Sequence, residues 1–181
     1  NGTYSGHVRV YDYDGSIWVP VGQDIDGESA GDYSGRSVSM SSDGTRVAIG
    51  AIHNDGNGSS FGHVRVYDYN GSIWVPVGQD IDGESAGDLS GYSVSMSSDG
   101  SRIAIGAPYN DGNGSNSGHV RVYILDGSLW VQAGLDIDGE AAGDYSGHSV
   151  SMSSDGTRVA IGALYNDDNG SNSGHVRVYE Q

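Results

Sequence analysis

The sequence lacks cysteine and lysine, and it contains only one phenylalanine and three prolines among 181 residues. Without cysteine, neither a disulfide framework nor thiol chemistry is available to the chain. The 24 acidic residues far outnumber the eight arginines and give a net charge of −16. Such a charge repels phosphate backbones, so we expect no nucleic-acid partner. No apolar run approaches the roughly 20 residues that a membrane-spanning helix needs, so we expect no membrane insertion.

The chain is built from one repeat. The sequence GHVRVY begins at Gly6, Gly62, Gly118 and Gly174, a spacing of 56 residues, and residues 6–61 and 62–117 differ at only nine positions. A period of this size indicates an architecture in which each unit buries its apolar faces against its neighbours. The predicted organisation is the end of a truncated preceding repeat (1–5), three repeats (6–61, 62–117 and 118–173) and the start of a fourth (174–181).

Each repeat predicts four short strands, because β-branched and aromatic residues alternate with polar ones. In the first repeat the strands are HVRVYDY, IWVPVGQDI, SVSMSS and RVAIGA, beginning at His7, Ile17, Ser37 and Arg46. Asp-Gly and Asn-Gly pairs between them predict tight hairpins. The predicted fold is therefore all-β, with tandem four-stranded antiparallel blades of the β-propeller kind. Three blades cannot close a ring, so we expect either an arc of a larger propeller or an open array, cut from a longer protein.

The stretch from Ser90 to Tyr123 resembles the FG-GAP repeat of integrin-type β-propellers. Gly106-Ala107-Pro108 supplies the GAP, and Ser90-Gly91 stands where Phe-Gly usually lies. The resemblance implies a propeller that binds a protein or glycan ligand through its loops, with calcium as a possible cofactor. The calcium loop that the family often carries in one hairpin is here a bare Ser-Asp-Gly turn. The resemblance therefore implies no calcium at that point.

An acidic loop in each repeat is the candidate metal site, because its carboxylates have a calcium-like spacing. The alternative interpretation is that these aspartates cap turns or pair with arginines. The candidate ligands are Asp24, Asp26, Glu28 and Asp32 in the first repeat, Asp80, Asp82, Glu84 and Asp88 in the second, and Asp136, Asp138, Glu140 and Asp144 in the third.

Four Asn-Gly-Ser/Thr sequences lie 56 residues apart and are candidate N-glycosylation sites. They begin at Asn1, Asn57, Asn113 and Asn169. The alternative is that Asn-Gly only forms tight turns, which is the better interpretation for a fifth copy at Asn70.

Other recurring side chains have a structural and a functional interpretation. The histidine of each GHVRVY could ligate a metal, but the arginine two residues later opposes a cation, so a structural role is favoured. The recurring tryptophans Trp18, Trp74 and Trp130 are typical of blade packing, with a sugar-stacking platform as the alternative. No serine, histidine and aspartate are spaced as a catalytic triad. A catalytic group would also occur once and not in every repeat, so we expect no enzyme.

These observations favour a non-enzymatic, extracellular structural or adhesive protein, a segment of a longer self-associating array such as a surface layer or fibre. The expected partners are other copies of the same repeat, since near-identical edges make association easy. The alternative is a calcium-assisted β-propeller module that binds a protein or glycan.

Overall fold

The computed structural model describes residues 2–56 and 58–180, and the regular structure of this part is entirely β. Within these ranges no helix is long and apolar enough to cross a membrane. The 17 strands form four blades, which lie one after another along the chain. The first blade contains β1 to β4, at His7–Val8, Tyr11–Tyr13, Trp18–Pro20 and Ile25–Asp26.

The second and third blades are complete and share one strand plan. The second contains β5 to β9, at Ser34–Met40, Arg46–Ala51, His63–Tyr69, Trp74–Pro76 and Ile81–Asp82. The third contains β10 to β14, at Ser93–Met96, Arg102–Ala107, His119–Asp126, Leu129–Gln132 and Ile137–Asp138. The fourth contains β15 to β17, at Ser146–Met152, Arg158–Ala163 and His175–Glu180.

Each complete blade is an antiparallel meander, which confirms the predicted fold class. In the second blade the strand order is β5-β6-β7-β8, and β9 also pairs with β7. The predicted strand IWVPVGQDI is divided in two, since Gly78 has a φ of 74° between β8 and β9. The predicted hairpin at Asp14 is present, and the Asp14 carboxylate accepts hydrogen bonds from the backbone N–H groups of Ser16 and Ile17.

The apolar core lies between the blades and not within any one of them. Side chains alternate across a strand, so β7 directs Val64 and Val66 to one face, where both are buried. They pack against a cluster contributed by the third blade, which includes Ile103 and Ile105. A second cluster joins the first two blades and a third joins the last two. Burial of one such side chain contributes about 1.5–3 kcal/mol, so the junctions carry most of the hydrophobic stabilisation.

The turns between β5 and β6, between β10 and β11 and between β15 and β16 approach one another closely enough for backbone contact. The backbone N–H of Ser42 donates to the carbonyl of Ser98, and that of Ser98 donates to Ser154, both at 2.9 Å. Gly91 lies at such a contact with a φ of 84°, and a Cβ there would lie 2.7 Å from the carbonyl oxygen of His63. A side chain at this position would therefore be strained and would also separate the blades.

The sheets do not close into a ring, and the two end blades expose residues that the inner blades bury. Trp18 in the first blade is 67% exposed, whereas its equivalent Trp74 is 3% exposed. In the fourth blade Val176 and Val178 are 68% and 66% exposed, although their equivalents in β12 are buried. Each end thus presents half of a blade junction.

We expect Trp74→Ala to lower the free energy of unfolding by about 3–5 kcal/mol, because the indole is buried at a junction and its removal leaves a cavity. Trp18→Ala is the matched control at the same repeat position, and it should change the free energy of unfolding by less than about 0.5 kcal/mol. Urea unfolding of the two variants measures the difference. Equal losses in both variants would contradict burial at the blade junction as the cause.

Candidate functional site at the blade junctions

The connection that enters each blade places a glutamate beside the histidine and arginine of that blade's GHVRVY strand. Glu28 lies on the connection into the second blade, and its Oε1 is 3.1 Å from the guanidinium of Arg65. The same guanidinium donates to the backbone carbonyl of Asp26 at 3.0 Å. The next junction repeats the arrangement with Glu84 and Arg121, 3.3 Å apart. A guanidinium therefore ties each connection to the blade that follows.

A histidine and two carboxylates meet beside this ion pair. In the third blade Nδ1 of His119 faces Oε2 of Glu84 at 3.8 Å and Oδ2 of Asp136 at 3.7 Å. The His119 side chain is almost fully buried, and its Nδ1 has no hydrogen-bond partner within residues 2–56 and 58–180. Leaving a buried polar atom unpaired costs about 1–3 kcal/mol, so this atom needs an explanation.

Each of the other two junctions holds an equivalent cluster. Every cluster takes its glutamate from the entering connection and its histidine from the blade, and one ligand atom from each member lies within 4.8 Å of the others. In the fourth blade the aspartate of the cluster is Asp168, which lies in the loop between β16 and β17. The three clusters are Glu28, His63 and Asp80; Glu84, His119 and Asp136; and Glu140, Asp168 and His175.

Burial sets the protonation of the two inner clusters. It lowers the pKa of His63 and of His119 from the usual value, because an imidazolium loses its hydration there. Asp136 and Glu84 oppose this effect at His119 by attraction, while Arg121 reinforces it. Burial also raises the pKa of Asp80. Both histidines are therefore neutral near neutral pH and offer an imidazole lone pair.

The structure separates the four carboxylates that the sequence groups into one acidic loop. Asp24 forms an ion pair with Arg9 at 2.7 Å, and the Asp32 carboxylate accepts from the backbone N–H of Ser29 at 2.8 Å. Glu28 turns toward Arg65 of the next blade, and Asp32 also accepts a hydrogen bond from the Asn54 amide of that blade at 3.3 Å. In the later loops Asp88 and Asp144 cap turns, Glu84 and Glu140 pair with arginines, and Asp82 and Asp138 lie in strands opposite His63 and His119. Asp80 and Asp136 differ from Asp24, because each faces a histidine.

A buried asparagine in each repeat also supports the connection, and sequence reasoning does not find it. Asn110 is 5% exposed, and its amide donates to Asp88 at 2.9 Å, while its Oδ1 accepts from the backbone N–H of Gly112. Asn166 and Asp144 repeat the contact at 3.0 Å. The constant separation of 22 residues between each aspartate and asparagine is a usable signal, but it does not distinguish a structural pair from a metal ligand.

The two described sequon asparagines differ in their surroundings. The Asn113 amide donates to the backbone carbonyls of Gly139 and Glu140, at 2.8 and 3.1 Å. Asn169 is exposed. Asn1 and Asn57 lie outside the described residues. Glycosylation stays a prediction at all four, and Asn169 offers the most accessible amide of the described pair.

A second surface, here called the aromatic face, lies near the starts of β5, β10 and β15. Arg36 stacks on the ring of Tyr92 at 4.0 Å, and the Tyr92 hydroxyl lies 3.3 Å from Nε2 of His148. Tyr109 packs edge-on against Tyr145, with ring centroids 5.2 Å apart. Further contacts in the same network join Tyr145 to Tyr165, Tyr92 to Tyr109, and Tyr33 to His53.

The open row of four-stranded meanders defines a β-propeller-like repeat module, and solved structures share this fold. A putative 6-phosphogluconolactonase from Bacteroides uniformis is 9% identical with a TM-score of 0.60, and 96% of this chain matches 48% of that chain. The Pseudomonas aeruginosa periplasmic gluconolactonase is 17% identical with a TM-score of 0.55, and 95% of this chain matches 45% of that chain. The chain thus spans about half the length of these structures, and at such identity the likeness concerns the fold alone.

The family is defined by three tandem matches. The model of the FG-GAP repeat matches residues 25–67, 81–123 and 132–179. The chain belongs to the FG-GAP repeat family. No curated protein matches the sequence.

The buried histidines predict a pH dependence of stability. Because the folded state lowers their pKa, the unfolded chain binds more protons as the pH falls below about 6.5, and stability falls with it. We expect the free energy of unfolding, measured with a chelator present, to decrease between about pH 7.5 and about pH 6. His119→Gln should reduce that decrease, whereas the exposed His7→Gln should retain it in full. An identical decrease in the two variants would refute the role of His119.

Proposed function

We propose that the chain is a non-enzymatic structural or adhesive module of an extracellular array, which associates end to end with further copies of the same repeat. The observation that carries the proposal is that every apolar cluster of the described residues is shared between two neighbouring blades. Trp18, Val176 and Val178 are exposed, although their equivalents lie buried at such junctions. An exposed apolar surface of this kind marks an interaction site, and a further copy of the repeat offers the complementary surface.

The inner junctions show what this partner provides. The Trp74 indole Nε1–H donates to the carbonyl oxygen of Val21 at 2.8 Å, and the Gln23 side chain exchanges hydrogen bonds with the backbone N–H and C=O of Trp74 at 3.0 Å each. Trp130 makes the same three contacts with Val77 and Gln79. The tryptophan of one blade therefore binds a Val-Gly-Gln segment of the preceding blade, here called the socket, and this contact recurs between blades.

The two ends of the chain carry a tryptophan and a modified socket. Trp18 is exposed in the first blade, beside a shallow apolar hollow formed with Val10 and Met40. The socket position at the other end holds Leu135, where the inner repeats have Gln23 and Gln79, and Leu135 is 90% exposed. Leucine cannot form the two glutamine hydrogen bonds, so the end-to-end contact is weaker than an inner junction.

Two further features support an extracellular, non-enzymatic role. FG-GAP repeats are typical of extracellular or surface proteins. The candidate clusters also occur at every junction and not once, as expected of parts that build an array. The lactonases share the fold, but at 9% and 17% identity their activities do not carry over to this chain.

Leu135→Gln should strengthen association between copies by about tenfold, because it restores two hydrogen bonds worth about 0.5–1.5 kcal/mol each. Trp18→Ala should weaken association while leaving the fold intact. Sedimentation velocity over a series of protein concentrations measures both effects. If the unmodified chain and the Leu135→Gln variant are both monomeric at every concentration, end-to-end association is refuted.

A second candidate function is ligand binding at the aromatic face, and the pattern of differences between repeats favours it. Four of the nine differences between the first two repeats lie in the contact network of this face, at Tyr33/Leu89, Arg36/Tyr92, His53/Tyr109 and Ser60/Asn116. Tyr33, Leu89 and Tyr145 hold a φ of 56°, 55° and 54°, so this backbone conformation recurs in each repeat and presents whichever side chain the repeat carries. Exposed aromatic rings with polar edges are suited to stacking on sugars.

Tyr109→Ala should lower binding to a panel of immobilised oligosaccharides by about tenfold, since one aromatic contact contributes about 0.5–1.5 kcal/mol beyond its buried area. Tyr13→Ala, an exposed tyrosine outside the aromatic face, should leave binding unchanged. Surface plasmon resonance on the panel measures both variants. Equal binding by Tyr109→Ala and the unmodified chain would remove the aromatic face from the ligand-binding function.

A further inference from the structure

We propose that each blade junction binds one divalent transition-metal ion, with zinc as the best fit, and that this ion pins the entering connection to the blade. The ligands are the glutamate of the connection and the histidine and aspartate of the blade. The best-formed site contains Glu84, His119 and Asp136.

The geometry of this cluster is close to that of zinc coordination. With metal–ligand bonds of about 2.1 Å, two ligand atoms at a tetrahedral centre lie about 3.4 Å apart. Nδ1 of His119 lies 3.8 and 3.7 Å from the facing oxygens of Glu84 and Asp136. The three ligand atoms lie within 4.8 Å of one another, so movements of about an ångström in two partly exposed carboxylates would complete three sides of the tetrahedron. Water can take the fourth position.

The unpaired Nδ1 of His119 is the independent observation that points to a cation. This atom is buried and has no hydrogen-bond partner, although two carboxylates face it. A neutral imidazole that presents its lone pair repels those oxygens, and the oxygens are too distant to accept a hydrogen bond from a protonated Nδ1. A cation at the centre satisfies the lone pair and both carboxylates together.

The set of donors selects among metals. An imidazole with two carboxylates suits zinc and its first-row neighbours, whereas calcium takes six to eight oxygens. The Arg121 guanidinium lies near Oε1 of Glu84, which leaves Oε2 directed to His119. The arginine also reduces the negative charge of the cluster, so it lowers affinity for the metal without occupying the ligand oxygen.

The repeats make the three sites unequal. His63 and His119 are each about 2% exposed, whereas the His175 side chain is 19% exposed and Asp168 is 62% exposed. Water screens the charges of the exposed site more strongly than those of the buried sites, so zinc should bind it more weakly. We therefore expect two tight sites and one weak site per chain.

Calorimetric titration of the chelator-treated chain with zinc chloride tests the proposal. We expect two tight equivalents, a rise in the melting temperature, and no comparable effect of calcium chloride at the same concentration. Glu84→Gln should reduce the tight equivalents from two to one, because it removes a carboxylate ligand of one site. The Glu84 side chain is 42% exposed, so we expect this variant to fold normally. Cobalt absorption provides a second readout, since nitrogen and oxygen ligands around tetrahedral cobalt give a characteristic visible band.

His7→Gln is the matched control, because His7 occupies the same repeat position but belongs to none of the three clusters. It should retain two tight equivalents, and His119→Gln should lose one. The proposal is overturned if zinc binds Glu84→Gln and His119→Gln as it binds the unmodified chain, or if calcium binds with the higher affinity. Because this experiment does not depend on association between copies, its failure leaves the proposed array function standing.

Discussion

The packing of one blade's valine stripe against the next blade is the constraint on which the rest of the structure depends. Val64 and Val66 find their apolar partners in another blade, and the same holds for Val120 and Val122. No blade has an interior of its own, so the stability of the chain approximates a sum of blade and junction energies. Every other recurring contact, from the tryptophan socket to the glutamate–arginine pair, fixes the distance and orientation at which this packing occurs.

The large negative charge is compatible with this close packing because many of the carboxylates accept hydrogen bonds from groups close to them in the chain. Hydrogen bonds from Ser97 and from the backbone and side chain of Ser101 hold the pKa of Asp99 at about 2, and the same turn holds Asp43 and Asp155 at about 2. These carboxylates satisfy backbone N–H groups within the hairpin turns. Arg65 and Arg121 lie instead on blade strands, and each pairs with a glutamate from the connection that enters its blade.

Period, strand alternation and turn chemistry were enough to predict the blades, since each depends on neighbouring residues in the chain. The clusters at the junctions could not be predicted in this way. Glu84 and His119 are 35 positions apart and belong to a connection and a blade, so only the packed structure brings them together. The spacing of Asp80, Asp82, Glu84 and Asp88 suggests one shared site, but their side chains diverge because all except Asp82 lie in connections, whose path depends on the packing of the blades. The buried role of Asn110 was missed for the same reason.

Identity and variation between the repeats lie on different parts of the molecule, and this separates the two proposed functions physically. The tryptophan, histidine and glutamate of each junction recur unchanged, as packing between identical faces requires. The aromatic face changes from repeat to repeat, from Arg36 to Tyr92 to His148, without disturbing any junction. A module organised in this way can be copied to extend an array while each copy presents its own surface chemistry. Leu135 is the exception among the junction residues, because it replaces the glutamine that the first two repeats carry at Gln23 and Gln79.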